Sequence, residues 1–378
     1  MRPTFVSRPS VFAIFGIVFL GVSVVGCGGG AESTDTAPAV TEAPVTSVAP
    51  STEVPMEPTS TSAAPVDSGG WWTNDTSYSW SDPEFVVTYE LMGEPSDGSS
   101  RAGVNSGGFI DGEGNLRVIF ASGPGATKKS SIVSTDGGKT FTVDQGFTWP
   151  SGMKEGLGHI SVSVAPEGGF RAFLRDDVGI ASAHSPDGRV WTADDGYRVK
   201  ASDLGIDRVD GGSVVQLPDG RYRMYIGDES MYFTKCGSER PVSTTIMSAT
   251  STDQLNWVVD PGYRIGPEDT DLCKLHPHAF VDTNGDVVVI FHINNEISQS
   301  RGQWMSACFM ARSKDGMTFD PITKLEPMLP SLVPGNELSA SDCDIVVMPD
   351  KTTRLFFSVS GPLPEGDQIA MAIGTPAS

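Results

Sequence analysis

The feature that most constrains this chain is a hairpin unit that recurs five times, about 60 residues apart. The copies are GGFIDGEGNLRVIF around Gly114, SVSVAPEGGFRAFL around Gly168, SVVQLPDGRYRMYI around Gly220, HAFVDTNGDVVVIF around Gly285 and DIVVMPDKTTRLFF around Asp350. Each reads as two alternating strands joined by a tight turn of the Pro-Asp-Gly or Asn-Gly kind. A third strand follows every hairpin, and in four units a second kind of turn comes next. These turns are Ser134-Thr-Asp-Gly-Gly-Lys-Thr-Phe141, Ser185-Pro-Asp-Gly-Arg-Val-Trp191, Ser251-Thr-Asp-Gln-Leu-Asn-Trp257 and Ser313-Lys-Asp-Gly-Met-Thr-Phe319. The aspartate can accept bonds from backbone amides across the turn, glycine takes positive φ, and the closing aromatic buries itself between strands. The third copy departs from the pattern, with Gln254 in the glycine position.

A fourth strand follows each of these turns, whereas the fifth unit runs to Ser378 after three. The spare segment Phe85–Met92 (FVVTYELM) precedes the first unit and supplies the missing outer strand. The expectation is therefore an all-β fold: a five-bladed β-propeller of four-stranded antiparallel blades, its ring closed by an N-terminal strand at about 85–92. A β-sandwich does not explain one turn recurring in one phase four times. A doubly wound α/β fold is excluded by the lack of any useful helical period.

The second turn resembles the Asp box, or BNR repeat, of sialidase-like propellers. Asp210-Gly-Gly-Ser-Val-Val-Gln-Leu-Pro-Asp-Gly-Arg-Tyr-Arg-Met-Tyr225 resembles the five-bladed arabinanase-type glycosidases. The resemblance covers 71–378 and implies a glycosidase-like, carbohydrate-active protein. Departures stand beside it. Arabinanase-like enzymes place acids on the inner strands of blades one, two and three, where this chain has Asn105, His159 and Asp210. Sialidases use six blades and an arginine triad, which Arg101, Arg175, Arg208, Arg240, Arg264 and Arg301 do not establish.

The N-terminal end reads as an export signal. Arg2 and Arg8 precede an apolar run from Val11 to Val25, shorter than a membrane span requires. The run ends in Val24-Val25-Gly26-Cys27, which resembles a bacterial lipobox and implies cleavage before Cys27 and lipidation of that cysteine. Residues 28–70 are rich in Thr, Ser, Pro and Ala with no aromatic, and are expected to form a disordered tether. The domain division is thus signal peptide 1–27, tether 28–70 and propeller 71–378. The expected location is the outer face of the cytoplasmic membrane or the cell surface, lipid-anchored, with a monomeric domain. The net charge is −21; the signal carries two arginines and no acid, so the mature chain stands at −23. With no basic stripe, nucleic acid is excluded as a partner.

Topology sorts the loops. The hairpin turns and Asp boxes share one face and are structural, so Asp136, Asp187, Asp253 and Asp315 are not catalytic candidates. The opposite face receives the long, irregular loops where function concentrates. Aligning inner strands on their turns puts Asn105, His159, Gly211, His276 and Asp342 in one ring, with His278 and Asp344 two residues further on and Asp210 beside the ring.

A glycoside hydrolase needs one protonated acid and one ionised carboxylate. Asp210 is the candidate acid, Asp342 or Asp344 its partner and Glu337 a reserve. Asn105, His159, His276, His278, Arg208, Asp271, His292, Asn294 and Trp304 are candidate substrate contacts; Tyr225 and Tyr232 are further stacking residues. The alternative is a non-catalytic binder of a glycan or other small extracellular ligand. A weaker alternative is a metal-dependent enzyme with a divalent cation on His159, His276 and Asp342. Among the cysteines, Cys236 and Cys273 are expected to pair, with Cys308 and Cys343 either buried thiols or a second bridge.

Overall fold

The computed structural model describes residues 73–97, 99–153, 158–230, 244–266, 273–297, 304–325, 338–360 and 367–377. The strands form five antiparallel sheets in the order the repeats require, a five-bladed β-propeller. Blade one is Arg101–Ile110, Leu116–Gly123, Lys128–Ser134 and Thr142–Val143; blade two is Ile160–Val164, Phe170–Arg175, Gly179–Ser185 and Thr192–Lys200. Blade three is Val209–Gln216, Tyr222–Asp228, Ile246–Ser251 and Val258–Val259; blade four is Lys274–Val281, Val287–Ile297, Trp304–Ser313 and Thr323–Lys324. Blade five contributes Ser339–Val347, Thr353–Ser360 and Gln368–Pro376. No helix among the described residues is long and apolar enough to cross a membrane.

The strands are arranged this way because second strands such as Leu116–Gly123 are buried along their whole length and need cover on both faces. Neighbouring blades give that cover. Five apolar clusters each fill one seam between blades: Phe109 and Ile119 meet Ile160 and Phe170, Phe173 meets Val209 and Met224, and Tyr225 meets Phe291 and Phe309. Phe280 and Ile290 meet Ile345 and Phe357, and Phe120 and Val118 meet Phe356 and Ile369.

Ring closure follows the expectation with different boundaries. The outer edge of blade five is made by two short N-terminal strands, Tyr78–Trp80 and Glu84–Val87, both antiparallel to Gln368–Pro376. Tyr89–Met92, expected as strand, is a helical turn instead: the Thr88 side chain accepts from the Leu91 amide, and Gly93 ends the turn at φ 63°. An unforeseen strand, Thr73–Asn74, pairs in parallel with Thr323–Lys324 on blade four.

Of the two alternatives open for Cys308 and Cys343, the structure shows the bridge. Cys308 and Cys343 are not free thiols but a disulfide, Cα–Cα 6.0 Å, joining blade four to blade five. Strand position alone did not show that they face each other across a seam. Cys273 is also disulfide-bonded; Cys236, its expected partner, lies outside the described residues, as do Cys27 and the tether.

Candidate functional site

The inner strands carry one irregularity at a shared place. Pairing slips between Val104 and Gly107, Asp210 and Gly212, Leu275 and His278, and Ser341 and Asp344. At each slip one residue takes left-handed φ: Asn105 at 55°, Gly211 at 67°, His276 at 52° and Asp342 at 52°. Such a bulge turns a side chain out of the sheet's alternation, here into the channel. Gly211 serves differently. A Cβ there would come within 3.0 Å of His159 Nδ1, so its bareness admits that ring.

The re-aimed side chains meet. His276 lies between two carboxylates, with Nε2 3.1 Å from Asp210 Oδ1 and Nδ1 bonded to Asp342 Oδ1. Its backbone amide donates to Asp210 Oδ2 at 2.5 Å. Asn105 Nδ2 donates to Asp342 Oδ1 at 2.9 Å, and the Asp342 amide donates to His292 Nδ1 at 3.1 Å. A second pair lies alongside: His278 Nε2 is 2.7 Å from Asp344 Oδ1, while Asp344 Oδ2 accepts from the Gly108 amide. His159 stacks on His276 with centroids 5.7 Å apart and meets His278 edge-on at 6.1 Å.

Two second-strand ends complete the cluster. Arg175 grips Glu229 with two nitrogens, at 2.7 and 3.1 Å, and its Nε stands 3.8 Å from Asp210. Arg208 Nε meets the same Glu229 carboxylate at 2.7 Å. Arg175 and Glu229 were missed as members of this site because only inner-strand starts were aligned. Second strands end on the same face, and His292 had already marked that position in blade four.

Electrostatics assigns the charges. Burial opposes a charged His276, but Asp210 and Asp342 outweigh it and hold the imidazolium up to about 10. Burial likewise opposes the two carboxylates, yet His276 holds both well below the usual range, helped at Asp210 by Arg175. Burial and the Asp210 charge push Glu229 up to about 6 against the pull of Arg175 and Arg208. Burial and the neighbouring imidazolium keep His159 and His292 neutral, His292 at about 4. Asp210 and Asp342 thus stay charged beside His276, while Glu229, gripped by Arg175 and Arg208, is the carboxyl group raised to about 6.

These surroundings do not suit Asp210 as the proton donor. It is wholly buried and held ionised, so it fits the role of the charged partner. Asp342 and Asp344 are also buried and paired. Tyr225 is not a stacking residue: it is fully buried and donates to the Gly316 carbonyl at 2.7 Å on the opposite face. Glu337, Asp271 and Tyr232 lie outside the described residues. Asn294 and Trp304 fall on the second and third strands of blade four.

The expected metal trio is not the one assembled. Among the described residues, two groups place three ligand atoms within 4.8 Å of one another: His276 with His292 and Asp342, and His276 with Asp210 and Glu229. His159 is in neither. His276 is in both, yet each of its ring nitrogens already faces a carboxylate, so binding a cation there requires it to lose its proton and release one acid.

No protein-family model matches the chain, and no curated protein matches it in sequence. Solved structures share its fold. An endo-arabinase from Bacteroides thetaiotaomicron is 14% identical at a TM-score of 0.50, over 75% of this chain and 96% of that one. A thermostable family-43 glycoside hydrolase is 14% identical at 0.49, over 73% and 90%. An endo-1,4-beta-xylanase from Bacteroides thetaiotaomicron is 13% identical at 0.48, over 71% and 89%. At 14% identity the likeness to the endo-arabinase is one of fold alone.

Proposed function

We propose that this chain is a lipid-anchored, carbohydrate-active propeller that hydrolyses glycosidic bonds at the mouth of its channel. The observation that carries the reading is the pairing of Asp210, held ionised, with Glu229, pushed up to about 6, each with an oxygen within 4.8 Å of the other. Two carboxyl groups whose surroundings drive their protonation apart suit an acid and its charged partner. Glu229 is then the proton donor and Asp210 the base or nucleophile. His276 fixes Asp210 and keeps it charged, while Arg175 orients both acids. The fold likeness to an endo-arabinase supports the reading only in that the same scaffold carries a glycosidase there. The Asp-box kinship of the repeated turns, anchoring through Cys27 and the tether 28–70 belong to the same proposal, with a surface glycan as substrate.

The second reading, a glycan-binding module without turnover, is favoured by a different observation. Every acid of the cluster is buried and internally paired, and only Arg208, with 30% of its side chain exposed, and His276, with 16%, reach outward. Release of aglycone from a broad panel of aryl glycosides, sialosides included, separates the two. Hydrolysis predicts turnover that falls by about 100-fold or more in Glu229→Gln and in Asp210→Asn. Turnover that survives both changes removes the assignment. Saturable glycan binding with no turnover selects the second reading.

A further inference from the structure

The four Ser-x-Asp turns obey a contact rule that sequence does not show: each locks onto the preceding blade. In blade one, the Gly137 carbonyl accepts from Arg354 of blade five at 2.8 Å, and Phe141 meets Phe356 edge-on at 6.2 Å. In blade two, Trp191 meets Phe109 of blade one at 6.3 Å. In blade three, Gln254 Nε2 donates to the Val164 carbonyl of blade two at 2.8 Å, and Trp257 meets Phe173 at 6.0 Å. In blade four, the Asp315 and Gly316 carbonyls accept from Arg223 and Tyr225 of blade three at 3.2 and 2.7 Å, and Phe319 meets Tyr225 at 5.7 Å. An aspartate and an aromatic recur at four seams, and a side chain clasping a carbonyl at three of them.

The third strand of blade five leads into Ala377 and no turn of this kind among the described residues, so the rule leaves the seam between blades five and four to be closed otherwise. The N-terminal segment stands there. Asp75 Oδ1 accepts from the Ser77 amide at 3.0 Å and from Ser77 Oγ at 2.5 Å, a turn closed on its own aspartate as in the other four. Arg312 of blade four bonds Ser77 Oγ, lies 3.8 Å from Asp75 and is itself held by Asp282 at 2.5 Å. Tyr78 enters the apolar cluster of this seam beside Phe280 and Phe357, with the Arg312 guanidinium 5.7 Å from its ring centroid. The Ser77 carbonyl accepts from Ala377 at 2.8 Å, tying this turn to the end of the third strand.

We propose that residues 73–80 are the fifth clasp of the ring, supplied from the N-terminal side of the chain in place of a turn between the third and fourth strands of blade five. Asp75 and Ser77 take the turn's role, Arg312 the clasp's and Tyr78 the aromatic's. Blade five also meets blade four at the channel, where Asp342 and Asp344 pair with His276 and His278. The inference does not depend on hydrolysis.

Hydrogen exchange of the full chain tests it. Asp75→Ala and Arg312→Met are expected to speed exchange of the 368–377 amides about tenfold while leaving 128–134 unchanged. Arg354→Met is expected to do the reverse, loosening blade one's turn and sparing 368–377. Ser77→Ala gives a milder reading should Arg312→Met fail to fold. Protection at 368–377 that is unchanged in Asp75→Ala overturns the proposal, and so does equal acceleration in all five blades.

Discussion

The two faces of this propeller use the same backbone conformation in opposite ways. On the turn face, left-handed φ at the hairpin tips falls on Gly114, Gly168, Gly220 and Gly285, where the absent side chain costs no strain. At the inner-strand bulges on the channel face, the equivalent conformation falls on Asn105, His276 and Asp342, and in blade three on Gly211. Left-handed φ in a residue with a Cβ costs about 1–2 kcal/mol, so it persists only where the rest of the structure enforces it. Each of the three side chains enters the Asp342–His276–Asp210 network. The difference teaches that the regular repeats build the ring, while strained residues at the inner-strand bulges build the candidate site.

The largest effect that can break this comparison is removal of Asp342. Asp342→Ala leaves His276 Nδ1 and the Asn105 side-chain amide without their buried acceptor, His276 keeping only Asp210, and is expected to cost about 3–5 kcal/mol in denaturant unfolding. A cost below about 1 kcal/mol, typical of surface changes, would mean the network is not structural.

Next in size is a pH dependence. His276 is raised from its unfolded value near 6.5 to about 10. Its contribution is complete below 6.5 and is lost as pH rises through 10. The Tm of the parent therefore falls by several degrees between pH 7 and 10, and that of His276→Gln falls less. Asp210 and Asp342 are lowered, so their contribution holds above about 3.9 and disappears as pH falls. Equal slopes for parent and His276→Gln on the alkaline side would remove the imidazolium from the account.

The smallest effect lies on the turn face, where blade five breaks the glycine pattern. Lys351 occupies the tip position at φ 69° with its side chain exposed. Lys351→Gly is expected to stabilise by about 1 kcal/mol, whereas Asn105→Gly, which relieves similar strain but removes the bond to Asp342, is expected to destabilise. Stabilisation by both would show that Asn105 has no channel role.

The ring was legible in sequence because its signals are local. A tight turn, an aspartate two residues after a serine and a closing aromatic each act within a few residues, and they recur in phase. The inner-strand positions were legible too, since counting back nine residues from each tip lands on Asn105, His276 and Asp342. What pairs with what was not. Glu229 and Arg175 join Asp210 from second-strand ends of different blades, and Cys308 meets Cys343 across a seam. Such contacts depend on how blades stack rather than on neighbouring residues. The same limit hides the charge state of Asp210, which is set by His276 and Arg175 from other blades and strands. The closing strand was misjudged at Tyr89–Met92 because Thr88 caps a helical turn, a local signal overlooked beneath alternating apolar residues.

The most direct test of the account is the titration of the His276 ring, followed by nitrogen and carbon NMR of the histidines. One ring, absent in His276→Gln, is expected to stay protonated through pH 9, while His292 remains neutral down to pH 5. A His276 ring that loses its proton near 6.5 would contradict it, leaving the Asp210 and Asp342 carboxylates without the cation that holds them in the channel.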